Sequence, residues 1–141
     1  MTDLAPPLDR KRLAETAAGF GLRLVVLFGS HARGRQRPDS DCDVAVAGCP
    51  RQRFWELNDA LQEALTGSAL LDLVRLEDAD PLFRQEIMRD AVLLYGDPDL
   101  FCEYRAFAYR DFVDSADLFE LERTLLRRKL ARLKETLGAQ T

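Results

Sequence analysis

Residues 26–44 read VLFGSHARGRQRPDSDCDV. An apolar run ends in Gly29 and Ser30, and ten residues follow. Asp41 and Asp43, with one residue between them, then stand at the start of a second apolar run. Apolar, β-branched runs that are bounded by turn residues predict strands. This part of the chain therefore predicts two strands joined by a turn and a polar loop, with its polar residues at the strand ends.

The rest of the chain predicts a small mixed sheet with flanking helices, a fold of the α/β (α+β) class. Helices are expected where apolar residues recur every three or four positions, and strands where short apolar runs lie between turn residues. The predicted elements are a helix at 8–20, a strand at 22–28, a turn or short helix at 30–34, a loop at 35–40, a strand at 42–47, a helix at 51–65, a strand at 70–76, a helix at 80–89, an edge strand at 92–95 and two helices within 101–137, broken near 114–117.

The C-terminal part reads differently from the rest of the chain. We expect residues 1–100 to form the domain that carries the site, and residues 101–141 to form a helical extension. Four leucines of this extension fall on one helical face, at steps of four, three and four: Leu126, Leu130, Leu133 and Leu137. Such a face either packs on its own domain or is offered to a partner chain.

Gly29 and Ser30 stand where the first strand turns into the next element. Glycine lets the backbone approach a ligand closely, and the N–H groups at a helix start attract anions such as phosphate. Binding of a polyphosphate is one interpretation, and a tight turn with Ser30 as a helix N-cap is the other. Arg33 is the first candidate to balance the charge of a triphosphate, because it lies nearest this turn.

Asp41 and Asp43 are candidates for a metal site. Residues i and i+2 of a strand point to the same face, with Cα atoms roughly 7 Å apart. Two carboxylates on one face repel each other unless a cation lies between them. Mg²⁺ is commonly held by one or two carboxylates plus substrate phosphates, and Mn²⁺ suits the same oxygen ligands. A solvated acidic turn is the alternative, but the apolar strand that continues beyond Asp43 argues against it.

Asp72 is a third candidate because it interrupts an otherwise apolar strand. A lone acid in that setting is costly unless it is paired or bound to a metal. If its strand lies beside the strand at 42–47, Asp72 joins the same site, where it would bind a metal or accept the proton of an attacking hydroxyl. Otherwise it is an edge-strand acid that faces water.

Several other classes of protein lack support in the sequence. The 141 residues contain no apolar run that could span a membrane, and residues 1–7 do not resemble a signal peptide, so a cytoplasmic location is expected. Three cysteines without a C-x-x-C pair and a single histidine argue for reduced thiols and against a zinc site. The chain lacks the broad basic footprint of direct nucleic-acid binding, and it lacks a P-loop and a G-x-G-x-x-G motif.

The runs VLFGSHARG at 26–34 and SDCDV at 40–44 resemble the DNA polymerase β-like nucleotidyltransferase superfamily, and more narrowly the minimal nucleotidyltransferases (MNT proteins) of prokaryotes. The pattern G-S-x(10)-D-x-D is matched in full, and Asp72 matches the expected third carboxylate. The resemblance implies the nucleotidyltransferase fold, Mg²⁺ as cofactor and ATP as substrate. It also implies that Gly29, Ser30 and Arg33 hold the triphosphate, while the three aspartates bind the metal and act in catalysis.

The resemblance further implies a protein partner. Many MNT proteins are antitoxins paired with HEPN proteins, which are helical RNase toxins, and are thought to transfer AMP from ATP to a tyrosine of the HEPN partner. The helical extension of this chain suits such a partner. One alternative is an aminoglycoside-type nucleotidyltransferase, although those enzymes usually carry a larger second domain. The other is a non-catalytic antitoxin that acts by contact, against which the intact carboxylate set argues.

Overall fold

The fold comes from a computed structural model that describes residues 7–34 and 41–138. Its helices are α1 (Arg10–Gly19), α2 (Gly29–Ala32), α3 (Phe54–Gln62), α4 (Pro81–Arg89) and α5 (Pro98–Gly138), and its strands are β1 (Leu24–Phe28), β2 (Cys42–Ala47), β3 (Leu71–Arg75) and β4 (Val92–Gly96). The expected mixed α/β class is confirmed. The predicted loop at 35–40 lies outside the described residues.

The four strands form one mixed sheet in the order β3-β2-β1-β4. β1 pairs antiparallel with β2 and with β4, whereas β2 pairs parallel with β3. A parallel pair needs a crossover connection, and α3 lies in the connection between β2 and β3. The predicted edge position of β4 is confirmed, and β3 forms the opposite edge.

Both faces of the sheet are buried under helices. The layer formed with α1 and α3 contains Leu13, Val25, Val44, Leu57 and Leu61. The layer formed with α4 and the first part of α5 contains Val26, Ala45, Ile87, Met88 and Ala108. Successive residues of a strand point to opposite faces, so β1 and β2 supply both layers. Each large aliphatic side chain that is fully buried contributes about 1.5–3 kcal/mol.

Local capping chemistry sets the starts of α1 and α4. The Asp9 carboxylate accepts a hydrogen bond from the backbone N–H of Arg12 at 3.1 Å, and the Asp80 carboxylate accepts one from Phe83 at 2.8 Å. Pro81 occupies the first turn of α4, where a missing N–H leaves no helical bond unmade. Both helices begin within two residues of their predicted starts.

α5 is one continuous helix of 41 residues, so the predicted break near 114–117 is wrong. Residues 99–137 contain neither glycine nor proline. An aspartate inside an exposed helix costs less than about 1 kcal/mol relative to alanine, which does not end a helix of good helix formers. No helix within residues 7–34 and 41–138 combines the length and the hydropathy that a bilayer span requires.

Two arginines fasten the first part of α5 to the α4 layer. Arg84 on α4 donates hydrogen bonds to two backbone carbonyls and to the Asp111 carboxylate on α5, the last at 3.1 Å. Arg105 on α5 donates to the carbonyls of Met88 at 2.9 Å and Ala91 at 2.8 Å. The first part of α5 is therefore part of the folded domain, whereas the helix beyond residue 112 is largely exposed.

Candidate active site

The parallel register of β2 and β3 brings two of the predicted carboxylates together. Asp72 is the direct partner of Asp43 across the two strands, and paired residues in register point to the same face of a sheet. Asp43 lies on the same face of the sheet as Ala45, two residues on, and Asp72 lies on the same face as Val74. Ala45 and Val74 both pack in the α4–α5 layer. The site therefore lies on that face of the sheet. β3 is an edge strand and Asp72 is exposed, yet its register still makes it a member of the pair.

The charge environment of Asp43 shows which side chains surround it. Burial raises the pKa of Asp43 above its ordinary value, and the charge of Asp72, a hydrogen bond with Asp72 and the charge of Asp41 raise this pKa further, while His31 acts to lower it. Asp41 stands immediately before β2 and is exposed. Two carboxylates thus act on Asp43 at this edge, an arrangement that a bound cation would relieve.

The backbone of Gly29 packs directly against the Asp43 carboxylate. Gly29 has φ of +73°, and a Cβ added to it would overlap Asp43 Oδ2 and lie 3.0 Å from Asp43 Cγ. Only glycine accepts this combination of positive φ and close approach without strain. The turn after β1 and the start of β2 are therefore held in contact, which joins the two halves of the sequence motif.

Ser30 is the second residue of α2, and the N-cap of α2 is Phe28. The interpretation of Ser30 as the cap is therefore wrong. Its backbone N–H belongs to the first turn of a helix, where N–H groups lack a carbonyl partner within that helix and suit an anion. Arg33 follows α2, is exposed, and forms no ion pair with any residue in the described ranges.

The carboxylates fit a metal that is shared with a substrate. Within residues 7–34 and 41–138, no group of three or more His, Cys, Asp or Glu side chains is placed so that it could hold a metal ion by itself. Mg²⁺ keeps near-octahedral geometry and is usually bound by one or two carboxylates together with substrate phosphates. Asp43 and Asp72, with Asp41 nearby, are a donor set of this incomplete kind. Burial is the main cause that raises the pKa of Asp43, and the charges of Asp72 and Asp41 add to it; a cation would offset that added repulsion.

Sequence reasoning missed two neighbours of the site. His31 on α2 acts on Asp43, and its position directly after the Gly-Ser pair was the available signal. Phe83, in the first turn of α4, packs edge-on against Phe28 with ring centroids 6.2 Å apart, and Phe28 is the β1 partner of Asp43. No local signal marks Phe83, because its location depends on how α4 packs on the sheet.

Comparisons with known proteins show which chains this one resembles. The family model described as "Polymerase beta, Nucleotidyltransferase" matches residues 11–99. The protein adenylyltransferase MntA of Shewanella oneidensis is 35% identical over 86 residues, which are 57% of this chain and 60% of that relative. This chain thus spans about three fifths of the length of that relative.

Two solved structures share the fold over most of both chains. A toxin–antitoxin crystal structure with AMP-PNP superimposes with a TM-score of 0.64 at 22% identity, covering 87% of this chain and 98% of the other. A structure of the tri-AMPylated HEPN toxin of Shewanella oneidensis in complex with its MNT antitoxin superimposes with a TM-score of 0.55 at 20% identity, covering 86% and 98%. At these identities the likeness is one of fold.

Proposed function

Because this chain belongs to the polymerase β nucleotidyltransferase family, we propose that it transfers a nucleoside monophosphate from a nucleoside triphosphate to an acceptor hydroxyl. The observation that carries the proposal is the pairing of Asp43 with Asp72 across β2 and β3, against the Gly29 turn. It joins residues from three separate parts of the chain into one anionic cluster beside a turn that suits phosphate.

Each residue of the cluster has a proposed role. Gly29 allows the backbone to approach the triphosphate, Ser30 donates hydrogen bonds to it, and Arg33 offsets part of its charge. Asp41, Asp43 and Asp72 are the proposed ligands of Mg²⁺ or Mn²⁺, which when bound would neutralise charge that develops on the phosphate oxygens. Their own negative charge would otherwise repel the substrate.

The proposed transfer is an in-line displacement at the α-phosphorus. Asp72, the exposed member of the pair, orients the acceptor hydroxyl and accepts its proton. The acceptor oxygen forms a bond to the α-phosphorus while the bond from that phosphorus to the bridging oxygen of the β-phosphate breaks, so pyrophosphate leaves. The products are the nucleotidylated acceptor, pyrophosphate and one proton.

The proposed substrates are ATP and a tyrosine of a HEPN-type RNase toxin, with this chain as the antitoxin. Similarity to the MntA adenylyltransferase supports AMP transfer to a protein. The shared fold with an MNT antitoxin in complex with a tri-AMPylated HEPN toxin supports that class of partner. We propose that residues 1–100 carry the catalysis and that residues 101–141 form a partner-binding extension, whose first part packs on that domain. We also propose that the protein acts in the cytoplasm, where ATP is available.

The test is intact mass measurement of the protein encoded beside this one, co-expressed with it and supplied with ATP and Mg²⁺. Wild type and the control Asp59→Asn are expected to add one or more AMP units to the partner, whereas Asp43→Asn adds none. Asp59 is a suitable control because it is an exposed carboxylate on α3. Undiminished AMP addition by Asp43→Asn would refute the proposed role of the carboxylate pair.

A second readout separates transfer from contact. RNase activity of the partner is expected to return when Asp43→Asn replaces the wild type, because unmodified toxin stays active. If Asp43→Asn still silences the RNase while the complex forms, neutralisation acts by contact and the catalytic account of the antitoxin is wrong. Pyrophosphate release that depends on an added aminoglycoside, with no mass change of the partner, would point instead to a small-molecule acceptor.

A further inference from the structure

The exposed part of α5 carries a second pattern that the proposed catalysis does not use. Eight positions follow one another at alternating steps of four and three, and we call them the α5 seam: Phe112, Ala116, Phe119, Arg123, Leu126, Leu130, Leu133 and Leu137. Apolar residues at this spacing over three or more heptads are typical of a coiled coil. The four leucines of the seam are each more than half exposed, so the domain itself does not cover them.

The charges of α5 are divided between its two halves. Residues 111–122 contain five acidic residues and no basic ones, and residues 123–134 contain six basic residues and no acidic ones. Each half alone would repel an identical half placed beside it. The helix as a whole is complementary to itself when it is turned end for end.

We propose that α5 pairs with α5 of a second copy of this chain as an antiparallel two-helix coiled coil. Centred between residues 124 and 125, this pairing sets Phe119 against the second copy's Leu130 and Arg123 against the second copy's Leu126. Glu120 and Glu122, which flank the seam, then meet the basic residues that flank it in the other copy. This inference goes beyond the proposed function: it assigns the α5 seam to a second copy and leaves the other surfaces of the extension to the proposed toxin partner.

Arg123 selects the antiparallel arrangement over the parallel one. It is the one charged residue at a seam position, and polar residues at such positions specify register and orientation. A parallel, in-register pair would place the two copies of Arg123 face to face in the apolar core and acidic half against acidic half. The antiparallel pair packs Arg123 against a leucine, along which its aliphatic stem can lie with the guanidinium at the surface.

A groove at the α4–α5 junction supplies a second observation. Leu82 on α4 is half-exposed and lines this groove together with Phe112, Ala116 and Phe119. In the antiparallel pair, the second copy's Leu133 and Leu137 reach Ala116 and Phe112. Ala116 is the small residue that makes room for the incoming leucine, so the far end of one helix fills the groove beside the domain of the other.

The first experiment measures the mass of the full-length protein in solution, by sedimentation over a series of concentrations. Wild type is expected at twice the 16.0 kDa of one chain. Leu126→Asp with Leu130→Asp is expected to weaken association by more than about 1,000-fold, because four buried leucines are lost per pair of chains. The matched control, Leu121→Asp with Leu125→Asp, changes leucines that are 54% and 53% exposed but lie off the seam, and it should leave the dimer intact.

Charge reversal tests the pairing without removing an apolar side chain. Glu120→Lys with Glu122→Lys is expected to weaken association about tenfold or more, and adding Arg127→Glu with Lys129→Glu to the same chain is expected to restore it. A general effect of the substitutions on folding would not be reversed in this way. Failure of the second pair of changes to restore the dimer would overturn the proposed pairing.

Orientation is measured with spin labels at Glu135→Cys, in a chain whose exposed Cys102 is replaced by serine. In the antiparallel pair the two labelled positions lie about 32 Å apart along the helix axes, whereas in a parallel pair they lie side by side, about 10 Å apart. Adjacent labels would overturn the antiparallel arrangement. A wild-type protein that is monomeric at every concentration would overturn the proposal. This holds even if a different protein covers the seam in a complex.

Discussion

Replacement of Gly29 by alanine tests how closely the turn after β1 packs against the Asp43 carboxylate, which we propose to be catalytic. The added methyl group would overlap Asp43 Oδ2 and lie 3.0 Å from Asp43 Cγ and 3.2 Å from Asp43 Cβ. Gly21→Ala is the matched control, because Gly21 has φ of +68° against +73° for Gly29 and nothing within 4 Å of an added Cβ. Both substitutions place alanine at a positive φ, but only Gly29→Ala brings the added methyl group against the Asp43 side chain.

The magnitudes follow from these two terms. Alanine in the left-handed region costs about 1–2 kcal/mol, so both variants should lose about that much unfolding free energy. In Gly29→Ala the Asp43 carboxylate must also move, because ordinary carbon contacts begin near 3.4 Å. A displacement of about 1 Å of a catalytic group costs about 100-fold in rate. We therefore expect AMP transfer to fall about 100-fold in Gly29→Ala and to remain near wild type in Gly21→Ala.

The assay compares both variants at matched folded fraction. Urea denaturation gives the unfolding free energy of each protein, and the rate of AMP addition to the acceptor gives its activity. Wild-type activity of Gly29→Ala would refute the reasoning, since the contact with Asp43 would then have no part in catalysis. A loss of activity in Gly21→Ala as large as that in Gly29→Ala would attribute the effect to backbone strain alone.

Three further predictions concern other parts of the molecule. Burial and the charge of Asp72 raise the pKa of Asp43 above its ordinary 3.8, so the metal-free folded protein holds this proton more tightly than the unfolded chain and loses stability as pH rises through the raised pKa. In EDTA, the melting temperature of Asp43→Asn should therefore exceed that of wild type at neutral pH, and this difference should disappear at acidic pH. A difference in melting temperature that stays constant with pH would contradict this. Arg84→Met should lower the unfolding free energy by about 2–3 kcal/mol, because it removes the bond to Asp111 on α5 and the two bonds to the carbonyls of Leu76 and Ala79. Arg89→Met, at a pair whose arginine side chain is 63% exposed, should cost under about 0.5 kcal/mol. Urea denaturation measures both losses, and equal losses would refute the difference. Among the thiols, exposed Cys102 should react with a disulfide reagent in the native protein. Cys42 should react only on unfolding, because it is buried and its pKa is raised to about 11 by burial and by Asp43. Rapid labelling of Cys42 in the native protein would contradict its burial.

Local chemistry explains the parts of the fold that the sequence predicts well. β2 occupies the predicted residues 42–47, because residue types that interrupt strands stand in the sequence on both sides of it, Pro38 to Asp41 before it and Gly48 to Pro50 after it. α4 begins at Pro81 after a capping Asp80, as Asp-Pro at a helix start predicts. These signals lie within a few residues of the feature that they determine.

Features that depend on distant parts of the chain were predicted less well. The prediction that Asp72 joins the site depended on the strand order. That order is determined by the packing of α3 in the β2–β3 connection, and no single strand encodes it. Phe83 was missed for the same reason. The break predicted near 114–117 was wrong because this stretch contains no glycine or proline, and its aspartates and serine lower helix propensity too little to end the helix. The Gly29 contact with Asp43 combines both kinds of signal: the motif marks the residues, and the sheet brings them together.

The measurement that tests the central claim most directly follows the label of ATP into the acceptor. ATP is labelled either at the α-phosphorus or at the γ-phosphorus and incubated with Mg²⁺, the acceptor protein, and wild type or Asp43→Asn. The account predicts that label enters the acceptor only from the α-phosphorus and only with wild type. Label from the γ-phosphorus, or equal transfer by Asp43→Asn, would contradict nucleotidyl transfer at the paired carboxylates.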